Sequence, residues 1–434
     1  MLQKLRKKIK TKKAKIGVIG LGYVGLPLAA AFAKNGFAVI GIDTDPDKIK
    51  KLMRAQSYIL DVHERDLKTI LKRKLFQATS DYKAVRELDA VIICVPTPLS
   101  KTHEPDISFV IDAAKKTAEY LRRGQLVVLE STTYPGTTEE VLLPLLEKSG
   151  LEVESDFFLA FSPERVDPGN KQFDTVTIPK VVGGVGTHST KAAQELYRMI
   201  IKNVVEVSSA KTAEMTKLLE NTFRSVNIAL INEIAVMANH LGIDIWEVIE
   251  AAKTKPFGFM PFYPGPGIGG HCLPIDPLYL SWKSRLHGYE AKMIELAATV
   301  NKTMPRYVVE RIAHLLNLKG VPLKGARILV LGVAYKRNSD DVRESPAVEV
   351  INHLLEEGSW VSYSDPYCPV LETGHTHLKS RELGPQFLKR QHCVVVLTDH
   401  SNFDYVSIVN HSRLILDTRN ALRKFSPKKH LFFL

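Results

Sequence analysis

Cys272 stands in the stretch Pro264 to Pro277, PGPGIGGHCLPIDP, where glycine and proline keep helix and sheet pairing from hiding a thiol. A cysteine so placed can attack an electrophilic carbon. Asp276, four positions on, can orient a water or take a proton, and Gly269-Gly270 lets the backbone approach a ligand closely. Lys217 and Asn221 lie one helical turn apart in a long periodic segment, where a lysine is either a solvated charge or a cation beside the chemistry. Taken alone, the loop reads equally well as a flexible turn holding a stray thiol. The elements that position these residues have to decide.

The chain has 434 residues, 45% hydrophobic and 24% charged, a globular composition long enough for two or three domains. Four cysteines make no disulfide scaffold, and no CxxC pair suggests a metal site, so none is expected and a reducing cytoplasm is the simple expectation. The net charge of +12 is uneven: between Lys4 and Lys15 almost every second residue is basic. That run reads as a solvated leader, residues 1–13, rather than a nucleic-acid tail, because no aromatics interleave with it. Basic residues followed by IGVIGLGYVGLPLAAAFAK imitate a signal peptide, but the glycine spacing speaks against one and no apolar run is long enough to span a membrane.

Lys15 to Ile19 reads as a buried strand, followed at once by Gly20-Leu21-Gly22-Tyr23-Val24-Gly25, a helix from Leu26 to Lys34, and a second strand from Ala38 to Ile42 ending in Asp43. This order is the dinucleotide-binding fingerprint. Gly20, Gly22, Tyr23, Val24 and Gly25 would carry the pyrophosphate. Asp43, with Lys48 nearby, would meet the adenosine ribose, and an acid there favours NAD over NADP. Further strands, Ala90 to Val95, Leu126 to Glu130 and Phe158 to Phe161, run out into Thr97, Thr132 and Glu164-Arg165. At the carboxyl ends of a doubly wound sheet, the threonines would face cofactor or substrate, or else cap the next helix. One long helix then runs from Ala210 to about Leu241, with Met215, Leu218, Leu219, Phe223, Val226, Leu230 and Ile234 as its apolar face and a possible dimer interface. A helical stretch from Tyr289 to about Leu316 leads to a turn-rich boundary at Val321 to Gly325. The pattern then starts again: strand Arg327 to Leu331, a turn through Tyr335-Lys336, helix Ser345 to Glu357, strand Trp360 to Ser364 ending in Asp365, and strands at Cys393 to Leu397 and Arg413 to Leu416. Without the later glycines, Lys336, Arg337 and Arg343 suit a phosphate held by side chains. Cys94, Cys368 and Cys393 read as inert. The fold class is α/β, two Rossmann-like doubly wound domains joined by a long central helix: an NAD-binding domain at 14–207, a central helical domain at 208–320 and a second Rossmann-like domain at 321–434.

With these pieces in order, the chain resembles the UDP-glucose/GDP-mannose dehydrogenase family. The motifs that carry it are GLGYVGLP (Gly20 to Pro27), VPTP (Val95 to Pro98), Ser131-Thr132, SPER (Ser162 to Arg165), AEMTKLLENTFRSVNIALINE (Ala213 to Glu233), the Cys272 loop, and GVAYKRNSDDVRESPA (Gly332 to Ala347). The resemblance implies NAD-dependent, four-electron oxidation of a nucleotide sugar's primary alcohol to a carboxylate, with an aldehyde captured by Cys272. It gives Asp276 the base, Lys217 and Asn221 the oxyanion, and Glu164 and Thr132 a water. It puts Arg343 near the cofactor pyrophosphate and Lys336 with Arg419 on the UDP phosphates and sugar, and it lines the substrate site with Arg165, Phe262, Tyr263, Gly269 and Tyr335. His271 reads as loop packing. The glucose branch has a second acid after the SPE glutamate and an arginine ahead of the cysteine loop; here the nearest residues are Asp167, and Lys253 and Lys255. SPERVDPGN and KPFGFMPFYPGPGIGGHCLPIDPLYLSWK are more similar to the branch acting on UDP-N-acetylhexosamines. UDP-N-acetylglucosamine ranks first, its galacto and manno epimers next, and UDP-glucose third. A soluble cytoplasmic homodimer, or higher homo-oligomer, using no nucleic acid is expected. Two other readings remain at this stage: a two-electron hydroxyacid dehydrogenase, which needs no cysteine, and a non-catalytic nucleotide-sugar sensor.

Overall fold

The structure, a computed structural model, describes residues 1–59, 61–100, 104–166, 175–270, 272–374 and 377–434. His271 and Asp167 lie outside the described residues. The chain divides into two compact units, residues 1–220 with 282–289, and residues 221–281 with 290–434. Residues 208–320 are shared between them.

The first unit is built on β1 (Lys15–Ile19), β2 (Ala38–Ile42), β3 (Phe76–Thr79), β4 (Ala90–Ile93), β5 (Leu126–Leu129), β6 (Phe158–Phe161), β7 (Lys180–Gly184) and β8 (Val204–Glu206). They form one sheet in the order β3-β2-β1-β4-β5-β6-β7-β8. From β3 to β6 every pair is parallel, and these strands are the near-continuous apolar runs that a sheet covered on both faces requires. β7 reverses, pairing antiparallel with β6 through Phe161 and Gly183. The start of β7 therefore lies at the edge where β5 and β6 end. The sequence reading stopped at β6 and missed this reversal.

The second unit repeats the plan with β9 (Arg327–Leu331), β10 (Trp360–Ser364), the hairpin β11 (Val370–Glu372) and β12 (His377–Lys379), β13 (Cys393–Val396), β14 (Ile415–Asp417) and β15 (Leu431–Phe433). Its sheet is β10-β9-β13-β14-β15, all parallel. Helices Lys292–Asn317 and Pro346–Glu356 place Val308, Ile312, Val350 and Leu354 in its core. The fold is α/β with two Rossmann-like sheets, the first parallel from β3 to β6 and the second parallel throughout.

Two expectations need correction. The basic leader is not a solvated tail: Leu2–Lys10 is a helix whose Leu5 and Ile9 are fully buried in the first core, with Arg6 paired to Glu195 and Lys8 to Asp89 at 2.7 Å. Leu2, Leu5 and Ile9 recur at spacings of three and four, a stripe masked by the lysines around it. The long helix, Ala210–His240, does form, but its inward side is not the apolar one read from the sequence. Leu218 is buried, whereas Met215, Leu219, Phe223 and Leu230 are exposed. Facing inward instead are Ala213, Glu214, Lys217, Ser225, Ala229, Asn232, Ala235 and Ala238. Small side chains allow close packing, and Glu214 and Asn232 among the inward residues have buried partners.

If the leader helix is part of the first core, Ile9→Ala should lower the first unfolding transition in calorimetry, at a cost of about 2–4 kcal/mol. The exposed change Lys12→Glu should stay within about 0.5 kcal/mol of wild type.

Candidate active site

In the first unit the glycine turn is fixed by its own geometry. Gly20 has φ +89°, and a Cβ there would sit 2.5 Å from the Cys94 carbonyl oxygen, while one on Gly25 would sit 1.9 Å from the Gly20 oxygen. Around Gly22 a Cβ would meet nothing within 4 Å, so the backbone is open on that side. Tyr23 beside it is exposed and Val24 caps the helix Gly25–Lys34. Asp43 accepts the Leu21 N–H (2.8 Å) and the Asp45 N–H (2.9 Å), and the Lys48 ammonium lies 3.7 Å away. An open glycine turn at a helix N-terminus with a carboxylate at the end of the next strand fits a dinucleotide. Gly20, Gly22, Gly25, Asp43 and Lys48 would hold it.

Beyond the strand ends lie Thr97, which is buried, and Thr132, which is half-buried. Glu164 is 8% exposed and accepts the Arg165 and Val166 N–H groups on one oxygen, both at 2.8 Å. The Arg165 guanidinium closes on Glu220 (2.6 and 3.2 Å) and on the Pro179 carbonyl (2.6 Å), so it braces the turn that presents Glu164. Lys217, at 8% exposure, is not a solvated charge. Burial pushes the Glu164 carboxyl up, but the Lys180 charge, the Val166 N–H, the Lys217 charge and the Arg165 N–H together outweigh it and hold the group below its ordinary range.

The second unit holds the cysteine loop. Cys272 is exposed, and its carbonyl accepts the Asp276 N–H (2.8 Å), which closes one turn at the start of the helix Asp276–Leu286. Asp276 therefore opens a helix rather than lying in the loop. Asn221 Nδ2 donates to Asp276 Oδ2 at 2.5 Å. The loop is pinned ahead of Cys272 as well. Gly265 N–H donates to Asn232 Oδ1 (3.0 Å), and the Asn232 amide donates to Asn301 (3.0 Å). Gly269 and Gly270 leave room for Tyr335: a Cβ would lie 2.6 Å from the Tyr335 Cβ at the first and 2.8 Å from its ring at the second. Gly270 N–H donates to the Arg343 carbonyl at 3.1 Å. The Arg343 guanidinium lies on Asp341 (2.6 Å), Lys336 is half-buried, and Arg419 donates to the Leu397 carbonyl (2.8 Å) with its guanidinium against Gly265. Phe262 packs on Phe223, and Tyr263 stacks on Trp246 with its hydroxyl 3.3 Å from Glu250.

Residues 14–201 match the NAD binding domain of the UDP-glucose/GDP-mannose dehydrogenase family, residues 211–303 its central domain and residues 329–424 its UDP binding domain. The chain belongs to that family. It is an NAD-dependent nucleotide-sugar dehydrogenase, an oxidoreductase. The dehydrogenase is 37% identical to a UDP-N-acetyl-D-glucosamine 6-dehydrogenase of Pseudomonas aeruginosa over 84% of this chain and 86% of that one. It is 33% identical to a Salmonella typhi protein of the same name over 97% and 95%. A solved UDP-D-ManNAc dehydrogenase from Pyrococcus horikoshii superposes with a TM-score of 0.87 at 35% identity, covering 96% of this chain and 98% of that one.

Several residues of the dehydrogenase escaped the sequence reading. Glu214 accepts the Gly136 N–H (2.6 Å) and the Thr138 N–H (2.9 Å) and hydroxyl (2.7 Å), tying the segment after Thr132 to the helix that carries Lys217. Nothing in an AEMTK run marks that glutamate as buried. The inert cysteines are buried: burial pushes the Cys368 and Cys393 thiols up to about 12.

Burial raises Glu214 to about 7, partly offset by its Thr138 and Gly136 bonds. A carboxyl raised above its unfolded value stabilises the fold below the unfolded pKa and loses that contribution as pH climbs through the folded one. From about pH 4.5 to 7, wild type should therefore lose melting temperature relative to Glu214→Gln, which lacks the titration; the gap between the two, followed by calorimetry, should change little above pH 8.

Proposed function

We propose that the dehydrogenase oxidises the C6 alcohol of a UDP-N-acetylhexosamine to the uronic acid, with UDP-N-acetylglucosamine the preferred sugar and its manno or galacto epimer next. The observation that carries this is the Asn221–Asp276 hydrogen bond one turn from the exposed Cys272. The substrate ranking draws support from relatives named for N-acetylglucosamine and N-acetylmannosamine sugars.

NAD, when bound, supplies the acceptor for both oxidations. Asp276 takes the C6 hydroxyl proton, directly or through a water, and Lys217 holds the developing alkoxide charge. Cys272 Sγ then bonds to C6 of the retained aldehyde, with Asn221 and Lys217 on the oxyanion. Oxidation at C6 converts that adduct to a thioester. A water positioned by Glu164 and Thr132 adds to C6, the C6–Sγ bond breaks, one water proton passes to the Cys272 sulfur and the other leaves as the uronic acid ionises to the carboxylate. Lys336 and Arg419 hold the UDP phosphates and sugar, Arg343 the cofactor pyrophosphate, and Arg165, Phe262, Tyr263, Gly269 and Tyr335 shape the sugar's surroundings. Thr97, Tyr23 and Val24 border the cofactor.

The working form is a homodimer or larger homo-oligomer through the long helix. Supporting it is the stripe of Phe223, Leu230, Met237 and Leu241, each about half exposed or more on one chain. Among the described residues no helix is long and apolar enough to cross a membrane.

Incubation with NAD and a panel of UDP-sugars should yield two NADH per sugar, fastest with UDP-N-acetylglucosamine; no NADH with any sugar would exclude the reaction. Cys272→Ser should release aldehyde or stall with the sugar bound, and full two-NADH turnover by Cys272→Ala would exclude the thioester. Leu230→Glu should shift the sedimentation coefficient to that of a single chain.

A further inference from the structure

The carboxyl edge of the first sheet buries more charge than the reaction proposed above uses. Lys180, the first residue of β7, is 4% exposed, and lysine is among the residues least often buried. Its ammonium lies 2.9 Å from Glu130 Oε2 and 3.3 Å from Glu164 Oε2, and 5.3 Å from the centre of the Tyr197 ring. Glu130, one residue past β5, is 1% exposed and takes the Tyr197 hydroxyl on its other oxygen. Among the described residues, Cys94 and Lys217 also bear on the cluster. Only a strand running backwards beside β6 brings a lysine to this place.

Two carboxylates around one ammonium are costly to bury unless each has a task. The Glu130 carboxylate bonds to Lys180 on one oxygen and to Tyr197 on the other. Glu164 has backbone N–H donors on one oxygen and Lys180 on the other. A carboxylate bound on both sides keeps its orientation and its charge, and offers its remaining lone pairs as acceptors.

We infer that Lys180, backed by Glu130 and Tyr197, is the positioning residue of Glu164, fixing it as an ionised acceptor that orients the hydrolytic water and does not itself carry a proton. Lys180 touches neither substrate nor cofactor in this role. The inference rests on the reading of Glu164 given under the proposed function.

In the full-length enzyme, Lys180→Met should lower kcat by about tenfold to a hundredfold, with KM for the UDP-sugar within about twofold. Burial pushes Glu164 up and Lys180 is the largest influence opposing it, so loss of the ammonium lets the carboxyl protonate at higher pH. The acid limb of kcat should then move up by about one unit or more. Glu164→Gln with Lys180→Met should be no slower than Glu164→Gln alone, and Lys180→Arg should recover most of the rate. Additive losses, an unmoved acid limb or a change in KM alone would overturn the inference. Should Lys180→Met fail to fold, Lys180→Met with Glu130→Gln keeps the cluster's net charge and gives the same readout. If wild type oxidises no UDP-sugar, the functional reading falls, and Lys180 is tested without turnover by carboxyl carbon-13 NMR. The Glu164 signal, assigned by its loss in Glu164→Gln, should titrate higher in Lys180→Met, and an unchanged titration would count against the pairing.

Discussion

A turn that follows a central parallel strand must bury backbone N–H groups with no strand left to receive them, and both halves of this enzyme meet that demand with a carboxylate from the end of the neighbouring strand. Asp43 accepts Leu21 N–H in the first sheet, and Asp365 accepts Val333 and Ala334 N–H in the second. An unsatisfied buried donor costs about 1–3 kcal/mol, so the acid is a structural requirement before it is a ligand-binding one. The two sites part company on the next contact. Asp43 keeps an edge toward Lys48, whereas Asp365 is fully buried under His400, whose second nitrogen receives the Asn338 N–H at 2.9 Å. The same device thus leaves one turn open and locks the other as a scaffold for the side chains of residues 335–343.

The groups to which the proposed chemistry falls are likewise held from behind. Asp276 is held by Asn221, Glu164 by backbone amides and Lys180, the cysteine loop by Asn232, and the segment after Thr132 by Glu214. The supporting side chains, Asn221, Asn232 and Glu214 on the long helix and Lys180 at the start of β7, sit on regular elements, while Glu164 and the cysteine loop lie outside them and Asp276 opens a helix. Preorganisation of this kind lets loops carry reacting groups without the loss of position that free loops would bring.

Much of this was legible in the chain. The strand, glycine turn, helix, strand and acid of the first unit follow one another without interruption, and Cys272 with Asp276 announces itself among glycines and prolines. The strands β1, β2, β6, β9 and β10 lie where apolar runs bounded by turn residues put them. What escaped notice did so for physical reasons. β7 begins with a lysine, which local pattern assigns to solvent, and only the reversed pairing with β6 buries it. Glu214 sits in a helical run with the usual charge alternation, so its partners from another segment leave no trace. The long helix was read with its large apolar residues inward, because periodicity reports a stripe but not which neighbour covers it. Three apolar residues in the leader were outvoted by the lysines around them.

Gly270 N–H is bonded to the Arg343 carbonyl, and Tyr335 fills the space that Gly269 and Gly270 leave. Cys272 stands two positions on from that stitch. The turn from Tyr335 to Arg343 and the glycines ahead of Cys272 are therefore packed as one piece, and a larger side chain at Gly269 or Gly270 would have to displace Tyr335.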